Sequence, residues 1–77
     1  MEIKVLGTGC TKCKKLEKMT REVVTELGLD AIIEKEEDIY KIMQFGVLTT
    51  PALVVDGKVV LKGKVPSVKE LKGILSN

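Results

Sequence analysis

The sequence predicts an α/β fold in which a four-stranded mixed sheet lies between helices, in the element order β-α-β-α-β-β-α. Three observations lead to this prediction. Short aliphatic runs alternate with stretches whose apolar residues recur every three or four positions, which is the period of a helix. The last two aliphatic runs are joined by Asp56-Gly57, which is typical of a tight antiparallel hairpin. Parallel strands joined by right-handed crossovers require helices on both faces of the sheet.

Length and composition narrow the class of protein. The 77 residues predict one domain, residues 1–77, near the lower size limit for a chain held together by a single core. Apolar residues make up 44% of the chain and are almost all aliphatic, which is typical of a soluble globular protein. Thirteen basic and eleven acidic residues are interspersed, so neither nucleic acid nor a membrane surface is an expected partner. No apolar run has the length of a signal peptide core or a membrane span, and a cytoplasmic location is expected.

The first strand and the first helix are predicted at residues 2–6 and 11–27. Gly28 ends the helix, because glycine readily takes the left-handed conformation of a C-cap. Apolar residues at helical spacing form one face of this helix, with Met19 at its edge: Cys13, Leu16, Val23, Val24 and Leu27. The pattern predicts that the side chain of Cys13 points toward the core.

A second strand and a short second helix follow. The strand is predicted within residues 30–35, where the run Ala31-Ile32-Ile33 is expected to be buried on both faces of the sheet. Asp38 is a candidate N-cap of the second helix and Gly46 its end, and three apolar residues share one face of it: Ile39, Ile42 and Met43. Of the larger side chains nearby, Met43 and Phe45 are predicted to lie in the core and Tyr40 at the surface.

The last three elements have strong local signals. An aliphatic strand is predicted at residues 52–55, and Asp56-Gly57 turns the chain into an antiparallel strand at residues 58–61. Ser67, followed three residues later by Glu70, forms a capping box, which predicts a third helix. Four apolar residues of this helix are expected to point inward: Val68, Leu71, Ile74 and Leu75.

Both cysteines of the chain, Cys10 and Cys13, lie in a Cys-x-x-Cys motif where the first strand passes through a Gly-Thr-Gly turn into the helix. The first turn of a helix has unpaired N–H groups and partial positive charge, so a thiolate is favoured at Cys10, and Lys12 adds to this effect. An exposed thiolate followed by a half-buried thiol is the arrangement that two-step thiol–disulfide exchange requires. We therefore expect Cys10 to ionise more readily than Cys13 and to be the more reactive thiol.

Other uses of the two cysteines remain open. A structural disulfide between them would close too short a loop to remove much entropy from the unfolded chain. Metal binding is the main rival, because thiolates suit Cu(I), zinc or a cluster shared between two chains, and a redox-sensing module would use the same pair. Two thiolates supply only half of a tetrahedral site, and the chain has no histidine to complete it. Lys14 and Lys15 are expected to belong to a solvated helix face.

Four separated motifs give the chain a resemblance that covers its whole length. They are Gly7-Thr8-Gly9-Cys10-Thr11-Lys12-Cys13, then Gly46-Val47 with Thr50-Pro51, the run at residues 52–59, and Gly63-Lys64-Val65-Pro66-Ser67. With the predicted element order, these motifs resemble the thioredoxin fold, and most of all the small thioredoxin-like redox-active disulfide proteins of archaea and bacteria. The resemblance implies a dithiol–disulfide oxidoreductase that acts without a bound cofactor.

The resemblance also implies roles for individual residues. Cys10 would be the nucleophile and Cys13 the resolving thiol, with Pro51 a cis-proline beside them. Four residues are expected to contact the client: Thr11, Lys12, Thr50 and Pro51. The implied partners are protein disulfides and an upstream thioredoxin-reductase-like flavoprotein. The chain would then be a monomeric electron carrier that serves cell redox homeostasis.

The chain departs from the patterns of related families at several positions. Gly9 stands where ordinary thioredoxins have tryptophan, and Thr11-Lys12 stands where they have Gly-Pro. Glutaredoxins hold glutathione with Gly-Gly and a following aspartate, whereas here Gly63 is followed by Lys64-Val65-Pro66, so glutathione is not the expected partner. Ordinary thioredoxins also bury an acid near the dithiol, and the first strand offers no residue that can be assigned to that position.

Overall fold

The computed structural model describes residues 1–76, which form seven elements in the predicted order. The strands are β1 (Glu2–Leu6), β2 (Ile32–Glu36), β3 (Ala52–Val55) and β4 (Lys58–Lys62), and the helices are α1 (Thr11–Leu27), α2 (Ile39–Gln44) and α3 (Val68–Leu75). The strand order is β2-β1-β3-β4, with β1 parallel to β2 and antiparallel to β3. β3 and β4 are also antiparallel. The predicted four-stranded mixed sheet is thus confirmed.

β1 is an interior strand, and the chain turns from its carboxyl end into α1. Leu6 is paired with Glu36 on one side and with Ala52 on the other. Continuing the antiparallel register by one residue places Gly7 opposite Pro51. The start of β3 and the turn that leads to the two cysteines therefore meet at one end of the sheet.

Helices cover both faces of the sheet. On one face, α1 and α3 pack against the strands through a cluster of buried side chains: Ile3, Val5, Leu16, Val23, Val24, Leu53, Leu61, Leu71 and Leu75. On the other face, α2 and the segment after it contribute to a smaller cluster: Leu6, Ile42, Val47, Ala52 and Val54. Because successive residues of β1 point to opposite faces, the same strand supports both clusters.

The turn and helix-end signals are found where the sequence predicted them. Gly28 caps α1 in the left-handed conformation with a φ of 65°. The Tyr40 N–H donates a hydrogen bond to the Asp38 carboxylate at 2.9 Å, which makes Asp38 the N-cap of α2. Asp56 and Gly57, both with positive φ, form the two-residue turn between β3 and β4.

The capping box of α3 is formed by reciprocal hydrogen bonds. The Glu70 N–H donates to Ser67 Oγ at 3.1 Å, and the Ser67 N–H donates to Glu70 Oε1 at 3.2 Å. Lys64 Nζ lies 3.5 Å from the other carboxylate oxygen of Glu70. The Ser67 N–H, and then the charge of Lys64, hold the pKa of Glu70 below its ordinary value.

β2 differs from the prediction. It spans Ile32–Glu36 rather than residues 30–35, and Ile32, which was expected to be buried, is 62% exposed. The physical reason is that β2 lies at the edge of the sheet. The buried residue of α2, Ile42, packs with Leu6 and Val54 of the central strands and leaves Ile32 uncovered.

Several side chains predicted to point inward are more exposed than expected. They are Met43 at 52%, Ile39 at 49%, Val68 at 45% and Leu27 at 36%, while Phe45 is half-buried. In α2 only Ile42 is buried, because a helix of six residues makes fewer than two turns. Val68, the first residue of α3, lies on an open surface groove that it shares with Lys15, Lys18, Met19 and Glu22 of α1. Tyr40 is 75% exposed, as the sequence predicts.

Candidate active site

Cys10 is the N-cap residue of α1. Its backbone is extended, with φ −67° and ψ 166°, and its Sγ accepts a hydrogen bond from the Cys13 N–H at 3.2 Å. Its carbonyl oxygen accepts a hydrogen bond from the Lys14 N–H at 3.0 Å, which begins the hydrogen-bond pattern of the helix. The side chain of Cys10 is exposed. When the cysteines are reduced, the Cys13 N–H and the positive end of the helix favour a thiolate on Cys10.

Cys13 lies one helical turn further along the chain. A disulfide joins it to Cys10, with the two Cα atoms 5.1 Å apart, so the structure is that of the oxidised protein. Only 5% of Cys13 is exposed, in agreement with its place on the apolar face of α1. Because Cys10 is exposed and Cys13 is not, a group that approaches from solvent meets Cys10 first.

Gly7 lies against Cys13, and its lack of a side chain makes this contact possible. A Cβ built on Gly7 would lie 2.8 Å from the Cys13 Cβ and would overlap the sulfur. The Gly7 N–H donates a hydrogen bond to the Glu36 carbonyl at 2.9 Å, which ties the turn to β2. Sequence reasoning assigned no role to Gly7 in the site. The sequence feature that could have indicated this role is a glycine directly after β1, in the turn before the cysteines.

The segment before β3 forms a second wall of the site. The Thr50–Pro51 peptide bond is cis, Pro51 is buried, and Thr50 is half-buried. Ala52, which follows Pro51, pairs with Leu6 at the end of β1, so this segment lies at the same end of the sheet as the turn that leads to the cysteine pair. Thr11 and Lys12 lie between the two cysteines in the first turn of α1, and both are exposed. The structure thus brings the four residues predicted to contact the client to the same end of the sheet.

Gly63 supports the segment before β3 and was not predicted as part of the site. Its N–H donates a hydrogen bond to the Pro51 carbonyl at 2.8 Å. A Cβ at Gly63 would lie 3.1 Å from Thr49 Oγ1, and its φ of 77° is one that glycine adopts readily. Its position in the motif after β4 was visible in the sequence, but its contact with Thr49 depends on the pairing of β3 with β4.

Two charged side chains lie near the cysteine pair, one in α1 and one in the connection from β2 to α2. Lys12 forms no ion pair or hydrogen bond through its side chain with the other residues of the described range 1–76. Glu37, in the connection from β2 to α2, has its Oε2 atom 3.2 Å from the position that a Cβ on Gly9 would occupy. The sequence assigned no acid to the neighbourhood of the cysteines, and the structure places Glu37 beside the residue that precedes Cys10.

Among residues 1–76, no group of three or more His, Cys, Asp and Glu side chains is arranged to hold a metal ion. No helix within that range is both long enough and apolar enough to cross a membrane.

The chain is similar in sequence to known proteins over most of its length. The model of the family described as "Thioredoxin domain" matches residues 1–76. A protein named "Thioredoxin" from Methanothermobacter thermautotrophicus is 46% identical over 76 residues, which cover 99% of each chain. Another "Thioredoxin", from Methanocaldococcus jannaschii, is 41% identical over 70 residues, which cover 91% of this chain and 80% of the relative. A "Probable Thioredoxin" from Archaeoglobus fulgidus is 33% identical over 69 residues, which cover 86% of this chain and 75% of the relative.

Proposed function

Because this chain belongs to the thioredoxin family and is a dithiol–disulfide oxidoreductase, we propose that Cys10 is its nucleophile and Cys13 its resolving thiol. The difference between the two sulfurs supports these roles. Cys10 is exposed at a helix N-cap, and its sulfur accepts a hydrogen bond from a backbone N–H, whereas Cys13 is only 5% exposed. The thiolate is the attacking species in disulfide exchange, so the sulfur that is both reachable and favoured as a thiolate attacks first.

The proposed reaction starts from the reduced protein and a client disulfide. The Cys10 thiolate attacks one client sulfur, the client S–S bond breaks, and the second client sulfur leaves as a thiolate that takes up a proton from water. The Cys13 thiol then loses its proton and attacks Cys10 Sγ, which forms the Cys10–Cys13 disulfide and releases the first client sulfur. Two electrons pass from the protein to the client, whose two sulfurs end as thiols.

We place the client segment beside Thr50 and Pro51, with Thr11 and Lys12 on the α1 side. The buried Pro51 has no N–H to donate at this wall of the site, and its carbonyl accepts a hydrogen bond from the Gly63 N–H. An extended client segment would pair with the backbone of Thr50 as an added strand, while its sulfur lies at Cys10. Main-chain recognition of this kind accepts many sequences, which suits protein disulfides as a substrate class. Lys12, whose ammonium group has no partner among residues 1–76, would favour clients with acidic side chains nearby.

The oxidised protein must regain two electrons before it acts again. We assign this step to a thioredoxin-reductase-like flavoprotein that reduces the Cys10–Cys13 disulfide, and we place the cycle in the cytoplasm, where thiols are kept reduced. The protein would then be a carrier of electrons that maintains cell redox balance. The electrons travel on its two sulfurs, so the proposed cycle uses no bound cofactor.

The experiment that tests the roles of the cysteines is covalent trapping. Cys13→Ser should attack client disulfides through Cys10 and remain linked to the client, because no second thiol is present to resolve the bond. Cys10→Ser is the matched control and should trap little client. The linked species is measured by non-reducing gel electrophoresis and by mass spectrometry of the joined peptides. Trapping through Cys13 in the Cys10→Ser variant, at a rate equal to that of Cys13→Ser, would contradict the proposed order of attack.

A further inference from the structure

The carboxylate of Glu37 lies beside the turn that presents Cys10. Its Oε2 atom is 3.2 Å from the position of a Cβ on Gly9, the residue immediately before Cys10. Gly9 has a φ of 88° and no side chain to cover the carboxylate. The side chain of Glu37 is 56% exposed. A molecule bound at Cys10 therefore finds an open carboxylate beside the residue that precedes the reacting cysteine.

Little in the described structure neutralises this carboxylate. Its ion-pair partner is Lys35, whose Nζ is 3.9 Å from Glu37 Oε1 at an exposed position. The same ammonium group is also 3.6 Å from Glu17 Oε1, so its charge is shared between two acids. Exposed ion pairs of this kind contribute little. Glu36 and Asp38 flank Glu37 in the chain, which leaves three consecutive acidic residues at this corner of the protein.

Two side chains of opposite charge therefore lie near Cys10, one beside the residue before it and one two residues after it. Glu37 is next to the residue before Cys10, and Lys12 is two residues after it in the first turn of α1. The connection that contains Thr50 and Pro51 brings no further charge, because residues 45–51 include no acidic or basic side chain. Glu37 is thus the charged side chain that the structure places against Gly9.

From this arrangement we propose that Glu37 is a specificity-determining residue, which favours client disulfides that carry a cationic side chain next to the attacked cysteine. The inference rests on the proposed function of Cys10, since it concerns the clients of that sulfur. The attraction acts between exposed groups in water, so it should raise the rate of attack by about two- to fivefold at low ionic strength. It should weaken as salt is added, because the charges are then screened.

The test uses disulfide-linked peptides that differ at one residue. The neutral peptide has serine beside its cysteine, and two variants replace this serine by lysine, one before and one after the cysteine, to cover both directions of binding. The second-order rate at which each peptide oxidises the reduced protein is measured by stopped flow. The quantity compared is the ratio of the faster lysine-peptide rate to the neutral-peptide rate. Wild-type protein should give a ratio above one that falls with salt.

Two variants of Glu37 and one matched control decide the outcome. Glu37→Gln should bring the ratio close to one, and Glu37→Lys should bring it below one. Glu34→Gln removes a negative charge at an exposed position in β2, three residues before Glu37, and it should keep the wild-type ratio. An unchanged ratio in Glu37→Gln would overturn the inference while the proposed function stands. Failure of wild-type protein to reduce the neutral peptide would instead overturn the proposed function, and this inference with it.

Discussion

Gly7 and Cys13 are packed so closely that no side chain fits between them: a Cβ on Gly7 would lie 2.8 Å from the Cβ of Cys13. Gly7 directly follows β1, and Cys13 is in the first turn of α1, so this contact sets how closely the helix approaches the sheet at the redox site. Tight packing in protein interiors means that the contact transmits any displacement of one residue to the other.

Gly7→Ala should destabilise the protein and disturb the dithiol. The added methyl group has to displace the Cys13 side chain, and overpacking of this kind typically costs about 1–3 kcal/mol. The free energy of unfolding of the oxidised protein is measured by urea denaturation. Gly73→Ala is the control, because a Cβ at this position in α3 meets no atom within 4 Å. That variant should be equal in stability to wild type or more stable by up to about 1 kcal/mol, since alanine favours a helix over glycine.

In the reduced protein, Cys10 should react with iodoacetamide faster than Cys13 at neutral pH. Cys10 is exposed and is favoured as a thiolate by the helix end, whereas Cys13 is buried against Gly7. Brief labelling followed by peptide mass spectrometry gives the rate for each residue. Faster labelling of Cys13 would reverse the assignment of nucleophile and resolving thiol.

Lys12→Glu should slow alkylation of Cys10 near neutral pH and shift the rise of its rate to higher pH. A positive charge in the first turn of α1 favours the thiolate, and a negative charge disfavours it. The change should be less than about tenfold, because water and salt screen an exposed charge. Lys69→Glu, at an exposed position in α3, makes the same change in net charge away from the cysteines. Equal pH profiles for the two variants would place Lys12 among the solvated lysines.

A client peptide whose backbone is N-methylated at one position near its cysteine should be reduced more slowly than the unmodified peptide. If the client pairs with the Thr50 backbone, methylation removes one hydrogen bond, which contributes about 0.5–1.5 kcal/mol and therefore about two- to tenfold in rate. Scanning the methyl group along the peptide should reveal one sensitive position on one side of the cysteine. A uniform rate across the scan would exclude main-chain pairing at Thr50.

Glu70 predicts a pH dependence of stability. Its pKa is lowered in the folded protein by the Ser67 N–H and by Lys64, so its stabilising effect is complete above the ordinary pKa of glutamate. The effect is lost as the pH falls through the lowered value, where the folded protein takes up the proton. Urea denaturation of wild type and Glu70→Gln across this range should show wild type more stable at neutral pH and a difference that shrinks in acid. A difference that grows in acid would contradict the assignment.

The sequence was most informative where structure is decided locally. The ends of α1, the capping box at Ser67 and Glu70 and the hairpin at Asp56-Gly57 each depend on a few neighbouring residues, and each was predicted correctly. The exposure of Ile32 was not predictable in this way, because it depends on which strand lies at the edge of the sheet.

For the site as well, local features were predictable from the sequence and contacts between distant residues were not. The Cys-x-x-Cys motif at the start of a helix was sufficient to place one sulfur outside and the other inside. Contacts such as Gly9 with Glu37 and Gly63 with Thr49 join residues that are distant in the sequence, and they exist only once the strands have paired. No local sequence pattern encodes these contacts, so the places of Glu37 and Gly63 at the site were found only in the structure.

The interior position of β1 has a consequence for the newly made chain. The two cysteines are synthesised early, but β1, which leads to them, can pair with its antiparallel partner only after Ala52–Val55 has been synthesised. Gly63 is synthesised later still. A ribosome-bound chain that stops before residue 52 has both cysteines and no second wall around them. The site is therefore complete only after residues 52–63 have left the ribosome and the strands have paired.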